Sequence, residues 1–226
     1  MPGGRSGPPE SGAPLLNQRR TNGTPQVTSN SYGFYGIPSR ADSPEHEAWD
    51  VNHPFHRKIR EVVASGVAVF FAAGNCGTDC PSGNCRTSAI GPGRSINASA
   101  ALAEVFTIAA VNSRHERVGY SSQGPSLHAH GFATQKPDFA SYTHFFGNFG
   151  PGRPGGSTMP FDNGTSAATP TGAGVAALLL SRFRDLKPDR LREAFEIGQP
   201  GWDALTGSGV INAAAASYAR LLEDEV

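Results

Sequence analysis

The apolar residues of this chain fall into blocks whose spacing changes along its length. Gln26-Val27-Thr28-Ser29-Asn30-Ser31-Tyr32-Gly33 reads as a strand closed by glycine. Ser43-Pro44-Glu45 offers a helix start with proline in the first turn, and Asn52 offers a second. From there Phe55, Ile59, Val62 and Val63 recur at i, i+4, i+7 and i+8. That is one apolar stripe, and it predicts a helix from about Asn52 to Ser65, stopped by Gly66. Val67-Ala68-Val69-Phe70-Phe71-Ala72-Ala73-Gly74-Asn75 is a continuous apolar run of strand length, and Glu104 to Val111 is another. Such runs suit strands buried on both faces of a parallel sheet. Helix followed by strand argues for βαβ units, hence an α/β fold with a mostly parallel sheet and helices on both faces.

Farther along, Gly172 to Leu180 is a helix of small and aliphatic residues. Pro188 opens another, with Leu191, Ala194 and Phe195 on its buried side and Gly198 as its cap. Asn212 is suited to cap a last helix from Ala213 to Leu222. Residues 1–25, rich in Pro, Gly, Ser and Arg, show almost no apolar periodicity and are expected to be a flexible leader. Residues 26–226 are then the folded domain.

Candidate chemistry sits at two junctions. Asp162-Asn163-Gly164 is a run of turn formers leading straight into a helix of small residues, which places Ser166 at a helix N-terminus. Unpaired N–H groups and the macrodipole favour developing negative charge there. Asn75 ends a buried strand, where open α/β sheets place their sites, although asparagine is also an ordinary turn residue. The segment Gly164-Thr165-Ser166-Ala167-Ala168-Thr169-Pro170 resembles the nucleophile motif of the subtilisin-like serine peptidases, Gly-Thr-Ser-x-Ala-[Ser/Thr]-Pro. It departs just afterwards, with Thr171-Gly172-Ala173-Gly174 in place of His-Val-Ala-Gly. Ala72-Ala73-Gly74-Asn75 resembles the same family's Ala-Ala-Gly-Asn.

The resemblance implies Ser166 as nucleophile and the Asn75 amide as donor to the oxyanion. It also implies substrate binding along Ser31, Tyr32 and Gly33, whose backbone would pair with a peptide as an added strand, together with Ala73, Gly74 and Thr165. Val118 to Pro125, Lys136 to Ala140 and Gly207 to Asn212 look like scaffold segments of that family, so the similarity runs from about residue 26 to 222. Ser141-Tyr142-Thr143-His144 stands where the family has Ala-Pro-Gly, and the Gly- and Phe-rich segment to Pro160 is expected to lie over the groove.

Composition narrows the function classes. With 19 basic and 19 acidic side chains and no basic stripe, nucleic acid is not an expected partner. No apolar run approaches the ~20 residues of a membrane span. The first residues lack the apolar core of a signal peptide, although secretion is usual for the resembled family. Cys76, Cys80 and Cys85 share one Gly/Pro/Ser loop after Asn75. One local disulfide with a leftover thiol fits that count as well as three free thiols, and a loop without histidine is not expected to hold a metal. No cofactor is implied.

A serine hydroxyl needs a base, and the base a carboxylate to orient it. The resembled family supplies these upstream in Asp-[Ser/Thr]-Gly and His-Gly-Thr-His contexts, and neither is present here. The chain is therefore expected to be the C-terminal half of a subtilase domain, with peptide or protein substrate and its other half upstream or on another chain. Two other readings stand beside it. One is an enzyme that recruits His144 as base; the other is a non-catalytic peptide-binding module using the edge at Gly33. His53 and His56, in the first turns of the helix from Asn52, read as solvated surface residues.

Overall fold

The computed structural model describes residues 12–24, 26–127, 131–145 and 162–217. Four parallel strands pair in chain order: β1 (Val27–Asn30), β2 (Ala68–Ala72), β3 (Phe106–Val111) and β4 (Phe139–Tyr142). Val27 lies opposite Ala68, Phe70 opposite Phe106 and Ile108 opposite Phe139. The uninterrupted apolar runs are explained by two cores. Ala68, Phe70, Phe106, Ile108 and Phe139 face helices α3 (Thr165–Arg182) and α4 (Pro188–Glu196), packing with Ala173, Ala176, Leu180, Leu191 and Phe195. Val67, Val69, Phe71 and Ala73 face the opposite way, onto Ile59 and Val62 of α2 (Pro54–Ala64). Successive residues of β2 thus enter different cores, which removes any polar alternation. The α/β architecture expected from the sequence is the one observed.

Small residues let α3 lie close to the sheet. A methyl group added at Gly172 would stand 3.0 Å from Ile211 Cδ1. Helix α2 begins at Pro54 and is capped by the His53 side chain, which accepts from the Phe55 N–H at 3.3 Å. Asn212 Oδ1 accepts from the N–H groups of Ala214 and Ala215 at 3.0 and 3.1 Å, the cap expected of it.

Four local expectations need correction. Residues Gly12–Asn22 are not an unstructured leader but a helix, α1. Its Leu16 is 3% exposed in the same core as Ile59, and Arg19 Nε donates to the Ser65 carbonyl at 3.1 Å. One buried leucine and two arginines dock this helix, Arg20 pairing with Glu61 at 3.0 Å, so it carries no periodic apolar stripe to read. The first strand stops at Asn30, and Ser31 to Gly33 continue as exposed chain without a partner strand among the described residues. Ser43-Pro44-Glu45 starts no helix; the chain there makes successive turns. His56 is not solvated: it is fully buried. The segment expected over the groove falls largely within residues 146–161, outside the described residues.

Candidate active site

The C-terminal ends of β1 and β2 and the N-terminal end of α3 meet around a cavity of about 180 Å³. Ser31, Tyr32 and Gly33 line it from the exit of β1, and Ala73, Gly74 and Asn75 from the exit of β2. Thr165 and Ser166 close it from the first turn of α3. All eight residues singled out in the sequence therefore border one space. Phe34, Tyr35, Glu47 and residues of the segment 95–100 form most of the rest of the wall.

The turn into α3 is built around asparagine. Thr165 donates twice to Asn75 Oδ1, from its backbone N–H at 2.9 Å and from its hydroxyl at 3.0 Å. A backbone N–H only donates, so the atom facing it is the amide oxygen. The Asn75 Nδ2 group is then left free of that bond and available as a donor. Gly164, at φ +82°, admits this approach: a Cβ there would stand 3.3 Å from Asn75 Nδ2. The Thr165 hydroxyl also accepts from the Gly74 N–H at 3.2 Å, tying the end of β2 to the start of α3.

Ser166 is the second residue of α3 and half-buried. Its hydroxyl has no hydrogen-bond partner among the described residues, and neither has its own backbone N–H. That N–H is one of the orphan donors of a helix start, and the sequence reading had not singled it out as a partner for Asn75 Nδ2. Pro170, inside the helix, lacks the N–H that would have bonded the Ser166 carbonyl. Ser31 Oγ donates to that carbonyl instead, at 3.2 Å. Proline thus converts a helix bond into a tie between the exit of β1 and the serine turn. Two unpaired N–H donors beside an unpaired hydroxyl, at the positive end of an 18-residue helix, form a site suited to a developing oxyanion.

The scaffold turns brace Asn75 from below. Ser122 N donates to Gly74 O at 2.9 Å, and Ser122 Oγ accepts from Cys76 N at 3.2 Å, so one serine holds both neighbours of the asparagine. Cys76 and Cys85 form a disulfide closing the loop that follows, and Cys80 is free and exposed. The sequence had left that pairing open.

Described histidines do not reach Ser166. His144 Nε2 bonds the Tyr120 hydroxyl at 2.9 Å, and that hydroxyl accepts from the Gly164 N–H at 2.8 Å. His144 therefore approaches the serine turn through Tyr120 and does not line the cavity. His128 and His130 lie outside the described residues. Among the described residues no group of three His, Cys, Asp or Glu side chains is placed to hold a metal ion, and no helix is long and apolar enough to cross a membrane.

Glu47 is the residue the sequence did not single out. It lines the cavity, and its Oε1 accepts from the Ser99 hydroxyl and faces His56 Nε2 at 3.3 Å. His56 Nδ1 faces the Asp50 carbonyl at 3.0 Å. Burial pushes the Glu47 carboxyl upward, but the hydrogen bonds from His56 and Ser99 outweigh it and leave its pKa below the ordinary value. Tyr32 moves the other way: although the residue is half exposed, its ring packs on Phe55 and Phe71, and that partial burial, with the Glu47 charge adding to it, pushes the phenol up to about 12.

Comparisons with known proteins identify the family and the fold. The chain is 30% identical over 190 residues to the serine protease AprX of Bacillus subtilis, covering 75% of this chain and 38% of that protein. It is 32% identical over 163 residues to the subtilisin of Bacillus pumilus, covering 70% of this chain and 50% of that one. The chain thus spans half or less of the length of these relatives. The prenylagaramide maturation protease PagA superposes with a TM-score of 0.58 at 22% identity, over 90% of this chain and 64% of its own. A mutant of the protease domain of PatA superposes at 0.61 and 21% identity, over 93% and 64%. At that identity these two speak for the fold. A family model described as the subtilase family matches residues 12–209, beginning at the first residue of α1, and the chain belongs to that family.

Proposed function

We propose that this chain carries the nucleophile half of a serine endopeptidase site. Ser166 Oγ attacks a peptide carbonyl, and its proton passes to a base. The Asn75 amide and the Ser166 N–H stabilise the oxyanion. Collapse breaks the C–N bond, the amine leaves with the proton, and the acyl-serine is hydrolysed by water. The observation that carries the reading is the double donation of Thr165 to Asn75 Oδ1. It aims the opposite end of that amide away from Thr165, in the cavity that Ser166 also lines. The base and its orienting carboxylate would come from polypeptide other than the described residues, reaching the cavity past the outer side of β1.

Chain alone and complemented chain should then differ sharply. In subtilisin itself, loss of the base costs about as much as loss of the whole triad, roughly 10⁶ in turnover. A fluorophosphonate probe should label this chain alone only at a background rate. Co-expression with a subtilase N-terminal half bearing the Asp and His should produce rapid labelling that Ser166→Ala abolishes. Rapid labelling of the chain alone, or labelling that survives Ser166→Ala, would overturn the proposal. The exposed, unpaired segment Ser31 to Gly33 supports a second reading, a non-catalytic peptide-binding module. Peptide binding that persists in Ser166→Ala, with no hydrolysis from any complemented form, would favour it.

A further inference from the structure

Glu47 is the one carboxylate on the wall of the cavity, and no Lys, Arg or His side chain lines it among the described residues. Ala72, Ala73, Gly74, Ala98 and Ala100 line one part of the wall and leave room beside them, while Tyr32, Phe34 and Tyr35 flank the rest with apolar rings that suit the methylene stem of a long side chain. Glu47 is held firmly. Ser99 and His56 both converge on Oε1, and His56 is itself fully buried and fixed by the Asp50 carbonyl. Oε2 takes part in no hydrogen bond with the described residues, and the side chain keeps 16% of its surface exposed. A positioned carboxylate, acceptor only and lining the cavity, is suited to a charged donor.

We propose that this cavity selects a basic side chain, Lys or Arg, with Glu47 as the specificity-determining residue and His56 as the positioning residue behind it. The inference rests on the reading above and adds that the cavity beside Ser166 receives the substrate side chain next to the scissile bond. It names the substrate class of that site. Ser99 belongs to the same support, since its hydroxyl fixes the oxygen that His56 also faces.

Probe binding tests this without requiring turnover. p-Aminobenzamidine, whose fluorescence rises in a water-poor pocket, is titrated against the chain, with the neutral near-isostere p-aminobenzamide in a competition arm. The cation should bind at least about tenfold more tightly, the order expected for a hydrogen bond to a charged group. Glu47→Gln should reduce that preference to within about twofold, with its thermal melt checked alongside. Equal affinity of the wild-type chain for the two probes, absence of saturable binding, or a cation preference retained in Glu47→Gln would each overturn the proposal. The comparison of the two probes on the wild-type chain stands even where the variant fails to fold. Failure of the nucleophile reading shows separately, as absent Ser166 labelling in the complemented protein.

Discussion

At the turn before α3, single atoms decide what the site can do. Gly164 sits at φ +82°, where an L side chain is strained, and a methyl there would press on Asn75 Nδ2. Gly164→Ala should therefore destabilise the fold by about 1–3 kcal/mol in urea unfolding, while lowering Ser166 labelling in the complemented protein by more than that loss explains. Asn75→Ala should lower stability by about 1–3 kcal/mol, because it leaves the donors of buried Thr165 without their acceptor. In complemented protein it should reduce turnover with little change in KM, by the roughly 10²–10³ known from removal of the corresponding donor in a subtilisin. A kcat equal to wild type would remove Asn75 from the oxyanion site. These two residues were legible in the sequence because each sits in a short local motif whose backbone geometry travels with it. Glu47 was not, because it lies in a segment of turns whose path depends on distant partners, Ser99 and His56. His56 was misread for a related reason. Its neighbour Phe55 marks the helix stripe, but what buries His56 is packing against Phe132, which spacing does not show.

The elements around the site can be tested one at a time. The Cys76–Cys85 bridge fastens the loop that begins right after Asn75. Alkylation of the native protein should add one label, at exposed Cys80, and alkylation after reduction and unfolding should add three. Mass spectrometry counts them. For a loop this short, reduction should remove about 2–3 kcal/mol on the chain-entropy model. Three labels on the native protein would contradict the bridge. Helix α1 offers a parallel case. Its contribution rests on Leu16, so Leu16→Ala should lower unfolding free energy by about 2–5 kcal/mol, as for other buried leucines. A null effect would return residues 12–22 to the status of a leader. The central strands and α2 were readable from periodicity because many residues share each signal. Helix α1 was not, since a helix docked by one buried apolar side chain leaves no pattern, and the end of β1 was not, since it is set by its pairing with β2, which stops at Asn30 opposite Phe71.

Over the whole molecule, pH and the sheet edge set the behaviour. Lys136 is buried, donating to the Val105 carbonyl at 2.9 Å and to Asp138 at 2.6 Å. Burial lowers its pKa from the ordinary 10.5 to about 8, against the opposing pull of Asp138. Between those values the unfolded chain binds a proton that the folded chain does not, so stability rises with pH across the window. Below pH 8 both states are protonated and the folded state bears the full cost. Tyr32 acts in the opposite sense from pH 10 upward, where the unfolded phenol ionises and the folded one, at about 12, does not. Urea unfolding should thus show a gain on the order of 1–2 kcal/mol from pH 8 to 9.5, absent in Lys136→Met. The two sheet edges also differ. Outside β4, the Ala140 N–H donates to Gly209 O and the Ile211 N–H to Ala140 O, so that edge is covered. No strand pairs with the outer side of β1 among the described residues, and Leu178 of α3 is 65% exposed. An open parallel edge recruits another chain. The isolated protein should therefore self-associate as concentration rises, by sedimentation velocity. Ser29→Lys, on the exposed side of β1, should suppress this without lowering the melting temperature, and a complementing N-terminal half should suppress it as well. A wild-type chain that stays monomeric at all concentrations would mean that the outer side of β1 is already satisfied, and the route proposed for the missing base would close with it.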